Sequence, residues 1–76
     1  MVLVKLKNNN CINKLKATSI RKLSSGMDIS YFTIRNILKA LTYAGLCAKG
    51  YPDGNAHTYF ITSEGIELLN NLKGDM

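Results

Sequence analysis

Arg35, Asn36 and Lys39, with Phe32 one turn earlier, are the residues here whose types and spacing best suit a polar ligand. Ile34, Ile37, Leu38 and Leu41 recur at i, i+3, i+4 and i+7, the clearest helical pattern in the chain. At 100° per residue, the opposite face of residues 30–44 carries Phe32, Arg35, Asn36, Lys39 and Tyr43, with Tyr31 and Thr33 on its N-terminal flanks. Arg35 can bond bidentately to guanine O6 and N7, and Asn36 to adenine N6 and N7. Phe32 could meet a thymine methyl. Lys39, further along, suits a phosphate. The free amides near Ser30, at the start of the helix, favour a phosphate too. The bland alternative is a solvated helix surface, with Phe32 and Tyr43 covering a dimer contact.

No other constellation amounts to chemistry. The single histidine, His57, has no Cys or second His at ligand spacing, and Asp53 is its only acidic near neighbour. Glu64 and Glu67 stand at i, i+3, where they favour the N-terminal half of a helix rather than acid/base work. The Gly50 to Gly54 stretch lacks the Lys-Ser/Thr ending of a phosphate loop. Cys11 and Cys47 lack Cys-x-x-Cys spacing and read as small, reduced, half-buried residues; a Cys11–Cys47 bridge stays open, since sequence gives no geometry. The expectation is a non-enzyme with no metal and no cofactor.

Charge supports a polyanionic partner. Residues 1–49 hold nine basic residues against one acid, Asp28, a local +8. Residues 50–76 hold Lys73 against Asp53, Glu64, Glu67 and Asp75, a local −3. A basic bulk with an acidic end suits one face that meets nucleic acid. The length, 76 residues, implies one domain, 1–76, which buries about 60% of the surface its unfolded chain exposes. Lys5 and Lys7 interrupt and close the apolar start, which is too short for a signal peptide or a membrane span. A cytoplasmic protein without membrane contact is expected.

The elements that must position this face follow from caps and breakers. A helix is expected over about residues 9–16, where Cys11, Ile12 and Leu15 share a side. Residues 1–8 before it read as an arm, a strand or the first turns of that helix. Thr18 is the candidate N-cap of a short helix, Ser19 to Ser25, that buries Ile20 and Leu23 and ends at Gly26. Ser30 caps the next helix, and Gly45-Leu46 ends it. Two strands, Leu46 to Tyr51 and His57 to Thr62, flank the turn residues 52–56, with Tyr59 and Ile61 facing inward. Thr62 or Ser63 caps a last helix that buries Ile66, Leu69 and Leu72. This is an α+β order: a three-helix core, a β-hairpin and a C-terminal helix.

Two stretches resemble a known family. Residues 29–46, Ile-Ser-Tyr-Phe-Thr-Ile-Arg-Asn-Ile-Leu-Lys-Ala-Leu-Thr-Tyr-Ala-Gly-Leu, look like the recognition helix of winged helix-turn-helix regulators. Residues 59–65, Tyr-Phe-Ile-Thr-Ser-Glu-Gly, look like that family's return strand running into the last helix. The resemblance covers about residues 17–72 and is most similar to the minimal winged-helix transcription factors of archaeal plasmids and viruses. It implies that residues 30–39 read bases in the major groove, that Arg21 and Lys22 hold the backbone, and that the wing, residues 51–56, lies over phosphates or the adjacent minor groove. The wing departs from the family pattern. It offers Lys49 only at its base, Asn55 and His57 as polar candidates, and Asp53, which repels phosphate. Lys5, Lys7, Lys14 and Lys16 could supply part of the electrostatic contact. The implied function is a sequence-specific transcription regulator on double-stranded DNA, acting as a homodimer or as paired protomers on DNA. The competing readings are an interaction module without DNA and a nonspecific architectural DNA binder.

Overall fold

Seven elements follow from the sequence in a computed structural model that describes residues 2–74; Met1, Asp75 and Met76 lie outside the described residues. They are α1 (Val2–Asn8), β1 (Thr18–Ser19), α2 (Ile20–Ser24), α3 (Tyr31–Tyr43), β2 (Cys47–Lys49), β3 (Thr58–Ile61) and α4 (Ser63–Gly74). The fold is α+β: four helices and a three-stranded antiparallel sheet in the order β1-β3-β2.

The N-terminal segment corrects the expectation. The helix lies over Val2–Asn8, and residues 9–17 form an irregular loop. Val2, Leu3 and Leu6 share one helical face and are buried, whereas Ile12 and Leu15 are exposed. Asn10 takes a positive φ of 59°, which stops the helix. The loop then finds distant partners: Ile61 N–H donates to Cys11 O at 2.8 Å, and Tyr51 N–H to Lys14 O at 3.3 Å.

Thr18 is not the cap of α2. It pairs with Tyr59 as a third strand that the sequence did not reveal. Ser19 caps instead, its Oγ accepting from Lys22 N–H at 3.3 Å. The expected Gly26 stop holds, at φ +85°. Ser30 caps α3, accepting from Thr33 N–H at 3.3 Å. On α3, Ile34 and Leu38 are fully buried, while Ile37 and Leu41 pack against the core edge.

β2 and β3 form the expected hairpin, in register Cys47↔Ile61, Ala48↔Phe60 and Lys49↔Tyr59. Tyr59 and Ile61 face inward as expected. Thr58 is also buried, because its hydroxyl donates to Tyr51 O at 2.7 Å. Thr62 caps α4: its Oγ1 accepts from Gly65 N–H at 3.2 Å and donates to Gly45 O at 2.7 Å. Leu69 is buried and Ile66 partly so, but Leu72, expected to be buried, is half-exposed.

Both cysteines are free and buried in the core. Burial pushes the Cys47 thiol up to about 11 and raises Cys11 as well. A thiol raised in the folded state stabilises fully below its unfolded pKa, and that contribution is lost as pH rises through the folded value. Urea unfolding midpoints should therefore be flat on this account up to about pH 8.5 and fall above it. The loss from Cys47 reaches about 2–3 kcal/mol by pH 11. Cys47→Ala should flatten the fall above pH 9 while lowering stability throughout. An unchanged alkaline slope would contradict this.

Candidate nucleic-acid interface

α2 and α3 are joined by residues 25–30, a connector that contains Gly26, and the hairpin folds back beside them. An open groove runs between α2, α3 and the hairpin. Arg21, Lys22, Arg35, Lys39 and Lys49 line it, together with Tyr31, Asn55 and His57. Ser19, Ile20 and Tyr59 complete its walls. Five cations therefore share one concave surface, and Asp53 is the single acid among its lining residues. Such a concentration of one sign focuses an attractive field for anions.

The structure divides the α3 face foreseen from sequence into two rows. Tyr31, Arg35 and Lys39, at i, i+4 and i+8, look into the groove. Phe32, Asn36 and Tyr43 lie outside it and are exposed, Phe32 at 70% and Tyr43 at 96%. Tyr31 and Phe32 meet edge to face, 5.7 Å between centroids. Ser30 and Thr33 are occupied with capping, their hydroxyls 2.9 Å apart. Of the eleven expected site residues, the groove gathers Arg21, Lys22, Tyr31, Arg35, Lys39, Lys49 and Asn55; Ser30, Phe32, Thr33 and Asn36 stand outside it.

Of the five groove cations, Lys22 is the one paired with a carboxylate. Its Nζ lies 3.4 Å from Asp53 Oδ2, the only salt bridge among the described residues. Sequence reasoning placed Asp53 at the hairpin tip but could not foresee this pairing. It also missed Ser19 and Tyr59, whose place in the groove depends on a two-residue strand too short to leave a pattern. Among the described residues, no group of three His, Cys, Asp or Glu could hold a metal, and no helix is long and apolar enough to cross a membrane.

Fold and groove together define a small α+β protein that presents a cationic concave surface beside the polar side of α3. No protein-family model matches the chain. The DNA-binding protein TubR of Clostridium botulinum C phage is 31% identical over 71 residues, spanning 93% of this chain and 88% of the relative. The chain belongs to the family of this DNA-binding protein. Its relative comes from a bacterial phage rather than from an archaeal plasmid or virus, and its name fits the expectation of a non-enzyme. A crystal structure from Ralstonia eutropha JMP134, of a candidate DNA-binding protein, superposes with a TM-score of 0.75. It covers 93% of this chain and 88% of its own, at 24% identity, and so speaks to the fold alone.

Proposed function

We propose that this chain is a winged helix-turn-helix protein that binds double-stranded DNA sequence-specifically. In this reading α3 enters the major groove and the hairpin is the wing beside it. The observation that carries it is the groove itself: Arg35 and Lys39 on α3, Arg21 and Lys22 on α2, and Lys49 on the hairpin converge on one open surface. A major groove about 12 Å wide admits a helix of this kind. Arg35 reads a base edge, Asn36 and Phe32 reach the neighbouring edges, and the surrounding cations hold phosphates. Tyr31, Thr33 and the helix start at Ser30 take the backbone near the N-terminus of α3. Membership of a family with a DNA-binding relative supports the same partner.

One helix in one groove gives a small interface, roughly 600–1,000 Å² for a single module. Two protomers on half-sites about one helical turn apart would supply the missing specificity. Transcription regulation is the role the sequence resemblance implies; the geometry supports the binding step such a role needs.

Selection of bound sequences from random duplexes tests binding and specificity together. A single enriched motif supports the reading. Retention of DNA with no enrichment favours an architectural binder, and no retention at moderate salt favours an interaction module. Lys39→Ala should weaken all sequences alike and flatten the log–log salt dependence by about one unit, read by anisotropy titrations.

A further inference from the structure

The hairpin tip holds a carboxylate against the cationic groove. Asp53 N–H donates to Ala56 O and Ala56 N–H to Asp53 O, both at 3.0 Å, so the turn is closed by a reciprocal pair. Gly54, at φ +63°, makes that turn possible. The Asp53 carboxylate is thereby placed within 3.4 Å of Lys22 Nζ on α2. A second, smaller groove is lined by Lys14, Tyr51 and Pro52, and it shares Lys22 and Asp53 with the first. The ion pair therefore borders both grooves.

We propose that Asp53 is an internal competitor for Lys22, an autoinhibitory contact that DNA must displace. The inference rests on the DNA-binding reading above. A phosphate that approaches the groove meets four cations with no ion-pair partner among the described residues, Arg21, Arg35, Lys39 and Lys49, and one already paired. Lys22 cannot serve both anions at full strength. Both partners are largely exposed, with side chains 72% and 62% accessible, so the exchange is cheap and reversible. The pair limits sequence-independent affinity and ties the hairpin tip to α2 in the free protein. This gives a reason for an acid at a tip where a base would bind DNA better.

The test is a double-mutant cycle on one duplex, with anisotropy titrations from about 50 to 200 mM salt. Asp53→Asn is isosteric and sits on the surface; matching thermal midpoints check that folding is kept. It should bind about two- to fivefold tighter than the native chain, the scale of an exposed ion pair. Its log–log salt slope should steepen by about 0.9, one more phosphate neutralised. In a Lys22→Ala background, the gain from Asp53→Asn should fall to less than half. No gain, or a loss, in a protein that still binds DNA overturns the competitor and leaves the DNA reading standing. So does an equal gain in both backgrounds, which would make Asp53 a remote repulsive charge. Failure of the native chain and every variant to bind any duplex overturns the DNA reading and this inference with it.

Discussion

With α3 reading bases as proposed, Arg35→Ala is expected to weaken binding to the preferred sequence by about 5- to 150-fold, while binding to random DNA changes only a few-fold. The asymmetry follows from position. Arg35 lies on the second turn of α3, between Tyr31 and Lys39 in the row that faces the groove, and it is exposed. Its guanidinium has no salt-bridge partner among the described residues, so no internal ion pair must break before it reaches a base. A bidentate contact to guanine contributes about 1–3 kcal/mol against the wrong base. A phosphate contact contributes about equally to every sequence. Arg35→Lys separates the two. It keeps the charge but loses the planar fork, so specificity should fall nearly as far as with alanine while the salt slope stays. If Arg35→Ala instead lowered affinity equally for all duplexes, Arg35 would be a backbone contact. Base reading would then pass to the outer row, Phe32 and Asn36.

That choice between rows shows what the sequence could and could not reveal. Periodicity alone fixes which side of α3 is buried, because Ile34, Ile37, Leu38 and Leu41 leave one solution. It cannot say which half of the polar side faces the hairpin. That depends on where β2 and β3 return, a property of packing rather than of local pattern. The N-terminus was less legible for a similar reason. Residues 2–6 and 11–15 both carry apolar residues at helical spacing, and a seven-residue helix has little stability of its own. Burial of Val2, Leu3 and Leu6, on a helix that packs against α3, α4 and β3, decides between them. The loop 9–17 is held by bonds to Tyr51 and Ile61, partners more than thirty residues away. The stops at Gly26 and Gly45 and the cap at Ser30 were legible because their physics is local, whereas the cap of α2 moved to Ser19 because Thr18 is drawn into the sheet.

Gly65 carries the other large expected effect, one of stability. Gly65→Ala is expected to destabilise the fold by about 2–4 kcal/mol, although glycine to alanine within a helix ordinarily stabilises by about 1 kcal/mol. The reversal of sign comes from the return-strand stretch. Gly65 sits in the first turn of α4, where a Cβ would strike the carbonyl oxygen of Leu46 and lie 2.6 Å from Ile61 Cγ1. Leu46 O already accepts from Thr62 N–H at 3.0 Å, and Thr62 Oγ1 donates to Gly45 O. The α3–β2 junction and the β3–α4 junction are thus locked together by Gly45, Leu46, Thr62 and Gly65. That lock requires those residue types at that separation in the sequence. The colliding atoms are backbone and a fully buried isoleucine, so neither can turn aside as a flexible side chain would. Gly45→Ala is the control. Its φ of +82° is unfavourable for alanine, but no atom lies within 4 Å of the added carbon, so about 1–2 kcal/mol is expected from backbone strain alone. A chain of 76 residues has roughly 4–11 kcal/mol to lose, so Gly65→Ala should lower the thermal midpoint by roughly 10–25 °C. Equal or higher stability than the native chain in thermal and urea unfolding would mean that α4 does not approach Leu46 this closely. The position of the last helix against the α3–β2 corner would then have to be redrawn.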